Sequence, residues 1–390
     1  MGASKKKILF VSHNATRTGA PHVLLGIIRG FRQVGGWDIQ IISKENGPLV
    51  EEFRSLGETF VWYKEPSYLI VSKKKMSRFL TRAYYKIRGL IILRRINQAD
   101  VIFLNTITNG LLHKKLAKKS KLFFTYVHEL GISIKANTNS ESLDQVLRGT
   151  NFFLAASEAV AKLLKERFGV EENKMLVLYE SILNTSNQKE DYRSGRLDFR
   201  YKNHIPDGAF VIGILGTGEW RKGFDWLFPV VKLYFKKFPT GNAIFVWKGI
   251  STLVSEGINI VFDLEKSKLS DKVILLPHGD DAMGILAHFD VHLLLAREDP
   301  FPLAVLEAAS FAIPTICFNE AGGIPEFVKD DAGICVDYGD FDAVVDAIIH
   351  LEQNRSLLDQ LGIKAKEKLS EYSSEKASKT IINLIGQLGK

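Results

Sequence analysis

The sequence is poor in cysteine. Cys317 and Cys335 are the only two in 390 residues, which excludes a disulfide framework and a cysteine-based zinc site and makes a cytosolic setting the expectation. It also lacks any uninterrupted apolar run of about 18 residues, so a membrane-spanning helix is not expected. The first apolar stretch breaks into polar residues after Val11, so neither is a secretory signal. Internal repeats and low-complexity tracts are absent, which excludes solenoids and extended disorder. The nine histidines show no zinc-binding motif, and no glycine is followed by Lys-Ser or Lys-Thr. A histidine zinc site and a Walker phosphate loop are therefore excluded.

What is present is the composition of an ordinary globular protein, 46% hydrophobic and 25% charged, in a chain long enough for two domains. The net charge of +8 is a sum over unlike halves. Residues 1–150 hold 25 Lys and Arg against 10 Asp and Glu, a balance of +15, and the remainder carries −7. Such asymmetry implies a polyanionic partner touched by one half, either an anionic membrane or a nucleic acid.

The chain opens with an apolar strand at Lys7–Val11, a polar loop at Ser12–Pro21 and a helix with Val23, Leu24, Ile27, Ile28 and Phe31 on one face. Gly35-Gly36 ends that helix, and a strand follows at Trp37–Ile42. Near-continuous apolar strands imply a parallel sheet covered on both faces. Further strands are expected at 101–104, 122–127 and 152–155. After a polar stretch the alternation restarts, with strands expected at 210–215, 243–246, 258–262, 273–276, 291–295, 315–318 and 334–336. Two doubly wound α/β domains result, 1–185 and 207–372, with a linker at 186–206. The closing helix, 373–390, is expected to pack back on the first domain. Loops after parallel strands are where ligands bind in such folds.

One of these loops runs Arg297-Glu298-Asp299-Pro300-Phe301-Pro302-Leu303 into a helix holding Glu307. Asp299 and Glu307 lie a little over two turns apart, and the first-turn amide of Leu303 is free to meet a phosphate oxygen. A buried carboxylate at position 307 could accept two sugar hydroxyls. A simple cap at Asp299 and a solvated Glu307 are the alternative. Downstream come Ile313-Pro314-Thr315 and the pair Gly322-Gly323. A second loop, Gly213-Ile214-Leu215-Gly216-Thr217-Gly218-Glu219-Trp220-Arg221-Lys222-Gly223, ends on two cations suited to a diphosphate.

This succession resembles the retaining, nucleotide-sugar-dependent glycosyltransferases of family GT4, whose fold is GT-B. The departures are Asp299 where the family has Glu, with Glu298 displaced by one, and Gly216-Thr217 where it has Gly-Arg. The resemblance implies two Rossmann-like domains facing across a cleft. It implies Glu307 on the ribose, Arg221 and Lys222 on the diphosphate, and Asp299 on the sugar, with Gly216, Glu298, Phe301 and Leu303 nearby. In the first domain Thr18-Gly19-Ala20 matches the family's glycine loop beside the donor phosphates. His128, in Tyr126-Val127-His128-Glu129, matches its sugar-contacting histidine. Ser157 matches a family serine, and N-capping is the expected role. His13 and Asn14 are candidates for facing the acceptor. No metal and no cofactor are implied; Asp340-Phe341-Asp342 reads as a loop and helix start.

The basicity of the first half is concentrated in residues 73–95, which hold nine Lys and Arg and no acid. Phe79, Leu80, Tyr84, Ile87, Leu90, Ile91 and Leu93 are interleaved among them. A second cluster, Lys114, Lys115, Lys118, Lys119 and Lys121, could extend the face. On a helix this is the pattern of interfacial membrane binding. A solvated basic face whose apolar side packs on the sheet is the alternative. Nucleic acid is not expected, since no DNA- or RNA-binding motif is present. The expected function is transfer of a sugar, with retention, from a nucleotide-diphosphate sugar to a glycan or lipid-linked acceptor. That expectation places the chain in bacterial-type polysaccharide or glycolipid synthesis, cytoplasmic and peripheral on the membrane. A GT-B nucleotide-sugar epimerase and a basic membrane-binding protein with a degenerate cleft are the alternatives.

Overall fold

The structure, a computed structural model, describes residues 5–63, 75–120, 122–182, 196–251, 255–279, 281–329 and 331–388. Pro66–Val71, Lys73, Lys74, Lys121 and residues 186–195 of the expected linker lie outside them, as do the side chains of residues 75–79 and 82. The chain divides into two compact units, Met1–Leu183 with Ser373–Lys390, and Asn184–Tyr372.

The first unit is built on seven parallel strands: β1 (Lys6–Ser12), β2 (Trp37–Glu45), β3 (Glu58–Tyr63), β4 (Val101–Leu104), β5 (Phe123–Val127), β6 (Phe152–Ala155) and β7 (Met175–Val177). Their order is β3-β2-β1-β4-β5-β6-β7. The reversal falls between β1 and β4, and β4 pairs with β1 in parallel from Ile8↔Val101 to Val11↔Leu104. Four central residues of β1 and all of β4 are buried, which is why those strands read as apolar runs rather than alternating ones. Phe10 packs edge-on against Phe31 of the first helix, and Phe31 against Trp37. Burying a side chain of this size contributes about 1.5–3 kcal/mol. Strands β3 and β7, the two edges of this sheet, are not among the strands expected from sequence.

The helix Ser374–Leu388 belongs to this unit. Ser378 Oγ donates to the carbonyl of Ile27 at 3.0 Å, and Gly30 lies against the same serine. A Cβ on Gly30 would sit 2.2 Å from that hydroxyl, so close helix packing depends on glycine there.

The second unit repeats the plan with six parallel strands: β8 (Phe210–Leu215), β9 (Ala243–Lys248), β10 (Val273–Leu276), β11 (Val291–Leu294), β12 (Thr315–Phe318) and β13 (Gly333–Val336), ordered β10-β9-β8-β11-β12-β13. The strand expected at 258–262 is instead part of the helix Ser255–Lys266. Ile260 and Leu264, four residues apart, are buried there, while Ile258 and Phe262 are exposed. A short apolar run cannot distinguish helix from strand by itself. Residues 196–202, inside the stretch read as a linker, form a helix, and Arg200 donates to the carbonyls of Pro206 and Ala209. Cys317 is buried and Cys335 half-buried; they face each other in register on β12 and β13, Sγ atoms 3.6 Å apart.

Candidate functional site

In the second unit the chemistry gathers on the loops after β8 and β11, which are neighbours at the reversal of strand order. Lys222 and Asp299 form an ion pair with both side chains largely buried. Arg221 donates from Nη1 to the carbonyl of Glu298 at 2.8 Å, and the amide of Arg297 donates to the carbonyl of Arg221 at 2.8 Å. The two loops are therefore stitched together at the positions expected to carry the donor.

Two glycines make this approach possible. Gly223, at φ +75°, passes so close to the carbonyl of Leu295 that a Cβ would lie 1.8 Å from its oxygen. Gly322, at φ +125°, would bring a Cβ to 1.8 Å from the carbonyl of Asp299. In return the Asp299 amide donates to Ala321 at 2.7 Å, and the Gly323 amide donates to Asp299 at 3.1 Å. Asp299 is thus clamped through its backbone while its carboxylate is held by Lys222.

Arg297 was not singled out by sequence. Its guanidinium grips Asp225 with two bonds of 2.7 Å and lies 3.7 Å from the Trp226 ring centre and 4.4 Å from that of Trp220. Planar stacking with a bidentate fork is arginine chemistry that lysine cannot reproduce. It fixes the 3-10 turns of Trp220–Lys222 and Phe224–Trp226 that aim the two cations. Lys248, the last residue of β9, is a further buried cation, 2.6 Å from Asp281. A lysine closing an otherwise apolar strand is the signal that could have revealed it.

Glu307 lies in the helix Leu303–Ser310 that leaves the Asp299 loop. Its carboxyl has no partner among the described residues, and burial pushes it up to about 7. A partnerless carboxyl in such a place is costly to the apo protein and available to a ligand. Leu303 opens that helix, its amide unbonded within it. Phe301 is buried and stacked on Tyr372, centroids 5.6 Å apart, so its ring serves packing. The amide of Gly216 donates to the carbonyl of Lys248, and its own carbonyl accepts from the Trp247 indole. Both of its backbone groups are therefore already engaged. Asp340 caps the helix Phe341–Gln353 through the amide of Ala343.

In the first unit the corresponding groups follow the ends of β1, β4, β5 and β7. His128 is buried, with Nδ1 2.8 Å from Glu180 Oε1 and Nε2 3.1 Å from Asn105 Oδ1. The Asn105 amide is oriented by its own donation to the carbonyl of Ala20 at 2.8 Å. Both ring nitrogens of His128 thus face side-chain oxygens. Its neighbour Glu129 bonds to Thr106, and burial raises its carboxyl above the usual range. His13 is held down to about 4 by burial, then by the charges of His128 and Lys44, and its buried Nδ1 has no partner. Asn14 is spent locally, its Oδ1 accepting from the amide and hydroxyl of Thr16. Gly19 and Ala20 open the first helix. Ser157 caps Glu158–Phe168 through Val160.

Glu180 and Asn105 were invisible in the sequence, because they stand 52 and 23 residues from His128. Only the pairing of strands in space brings them together. Glu180→Ala would leave a buried imidazole nitrogen facing no acceptor, at a cost of about 1–3 kcal/mol. A lowered urea midpoint, partly restored in Glu180→Gln, is the expected measurement. An unchanged midpoint in the alanine variant would show that the bond contributes nothing.

Residues 196–368 match the family described as Glycosyl transferases group 1. The chain is 34% identical over 110 residues to the N-acetyl-alpha-D-glucosaminyl L-malate synthase of Bacillus anthracis, covering 28% of this chain and 29% of that one. It is 24% identical over 224 residues to the capsular polysaccharide biosynthesis glycosyltransferase CapM of Staphylococcus aureus, covering 57% and 58%. The chain thus spans less than two thirds of the length of these curated relatives. In fold it is similar to Anabaena Alr3699/HepE, solved in complex with UDP, with a TM-score of 0.77 at 15% identity over 98% of this chain and 100% of the other. The two parallel sheets of seven and six strands make this the two-domain GT-B fold, and the match to Glycosyl transferases group 1 lies within its second unit, at residues 196–368.

Proposed function

We propose that the protein transfers a sugar from a nucleotide-diphosphate sugar to a hydroxyl of a glycan or lipid-linked acceptor, with retention at the anomeric carbon and without a metal. The observation that carries this reading is the pairing of Lys222 with Asp299 beside Arg221, on the connection that leads to the partnerless Glu307. Diphosphate oxygens would draw Lys222 and Arg221 into charge-assisted bonds, and these cations would stabilise the negative charge of the departing nucleotide. Asp299, released from Lys222, would then be available to the sugar hydroxyls. Glu307 would accept the two ribose hydroxyls as a carboxylate. In the first unit His128, its ring held by Glu180 and Asn105, would address the sugar, and His13 would offer its open nitrogen to the acceptor.

The named activity of the Staphylococcus relative and the UDP bound to the Anabaena neighbour support a polysaccharide or glycolipid product and a nucleotide donor. Cytoplasmic residence follows as part of the same proposal, since nucleotide sugars are made there. The epimerase and binding-protein alternatives gain no observation. A thermal-shift screen over UDP-, GDP-, ADP- and TDP-sugars should raise the melting temperature with one base class and leave it unmoved with the others. Silence across all four would overturn the reading, and an inverted product linkage by NMR would overturn retention alone.

A further inference from the structure

The helix Lys75–Arg95 is apolar on two opposite faces. Tyr85, Ile92 and the following Ile96 are buried toward the sheet, where Gly89 lies directly on the Trp62 ring. Leu80, Tyr84, Ile87 and Ile91 follow at spacings of four, three and four, which places them on one stripe. That stripe points away from the sheet: with Leu90 beside it, its members are 49–62% exposed. A helix that merely shields a sheet needs one apolar face. A second, left uncovered over five large side chains, marks a surface that meets something else.

Charge decides what that is. Lys86, Arg94 and Arg95 are exposed on the same helix, and no acid occurs between residues 73 and 95. The second basic cluster lies on the same side of the sheet: Lys115 Nζ sits 5.6 Å over the Trp62 ring, and Lys119 donates to the carbonyl of Ile96. Among the described residues, acids paired with cations of this face are Glu51 with Arg54, Glu58 with Arg95 and Glu141 with Lys114. Between the stripe and the edge strand β3 runs a cavity of about 310 Å³ lined by Tyr84, Ile87, Ile91 and the arginines 54, 88 and 95. Two copies joined through this face would bring like charges together. A nucleic acid would use the cations and leave the apolar stripe wet. A lipid interface takes both, apolar side chains into the acyl boundary and cations among the headgroups.

We propose that the exposed face of Lys75–Arg95, extended by Lys115 and Lys119, docks the first unit on an anionic phospholipid bilayer. Among the described residues no helix is long and apolar enough to cross a membrane, and surface docking requires none. The proposal rests on the glycosyltransferase reading for its purpose, which is to hold the protein where a lipid-linked acceptor lies. Its physical basis is independent of that reading.

The test is co-sedimentation of the full chain with phosphatidylcholine vesicles, with and without about 30% phosphatidylglycerol. Anionic vesicles should be bound at least about tenfold more tightly than neutral ones. Ile87→Glu with Ile91→Glu, and separately Lys86→Glu with Arg94→Glu, should each lose at least about tenfold in that binding. Because these side chains are exposed, melting temperature and donor-induced thermal shift should be unchanged. Equal binding to both vesicle types, or unweakened binding by either variant, would overturn the proposal. So would a wild-type dimer in sedimentation velocity that the Ile87→Glu, Ile91→Glu variant dissolves without any vesicle binding, which would assign the face to a second copy. Vesicle binding without any donor shift would sink the enzymatic reading and leave the docking face standing; the reverse result would do the opposite.

Discussion

Lys222→Ala should cost both stability and activity, and the two losses should separate in a second variant. The lysine is held against Asp299 in a site where the two side chains are 16% and 6% exposed. Removing one partner of a buried pair leaves the other charge uncompensated, at about 3–5 kcal/mol. Against a total stability of about 5–15 kcal/mol for a typical domain, that is a large fraction. The charge of Lys222 also reaches the buried His292, which desolvation first and this lysine second hold down to about 3. Adding Asp299→Asn removes the orphaned carboxylate, so the double variant should recover most of the urea midpoint. Turnover should stay about 10²–10³-fold low in both, since a preorganised donor to a departing anion is worth about that much. A single variant as stable as wild type would show that the pair does not contribute. A double variant with normal turnover would remove Lys222 from the diphosphate.

Glu307→Gln should move stability and donor affinity in opposite directions. Burial raises this carboxyl from 4.5 to about 7. Below about pH 4.5 both the folded and the unfolded chain hold its proton. Between there and about pH 7 the unfolded chain has lost it while the folded chain keeps it, so stability falls as pH rises through that window. Glutamine has no proton to lose. The variant should therefore be more stable than wild type by about 3 kcal/mol at pH 8, with the advantage gone near pH 4.5. Ribose hydroxyls, by contrast, need the ionised carboxylate as acceptor. Donor binding should expel the proton, so wild-type affinity should rise with pH across neutrality, whereas the glutamine variant should bind about 10–100-fold more weakly and without that pH dependence. Titration calorimetry in two buffers of different ionisation heat reads the released proton directly. A variant that binds the donor normally, with the same pH profile, would remove Glu307 from the ribose.

The parts legible in the sequence are those carried by neighbours along the chain. Apolar runs such as Ile8–Val11 and Val291–Leu294 announce buried parallel strands, because burial on both faces removes alternation. The loop from Arg297 to Glu307 and the Trp220–Lys222 turn could be singled out, since spacing within one loop and one helix is local. Where local pattern is ambiguous, the reading failed. Residues 258–262 are helical because Ile260 and Leu264 face the core together, a choice made by the sheet they pack on.

The sequence by itself determined the two-domain α/β plan, the placing of candidate groups after strands and the basicity of the first half. Its scarcity of cysteine and of long apolar runs had already narrowed the field. Tertiary structure alone decided three things. It joined His128 to Glu180 and Asn105, from strand ends distant in sequence. It set Lys222 against Asp299 across 77 residues. And it turned Leu80, Tyr84, Ile87 and Ile91 outward, where periodicity permitted either face to be the buried one. The reason is common to all three: a sequence pattern fixes which residues share a face, and only the partners brought up by the fold fix what that face meets.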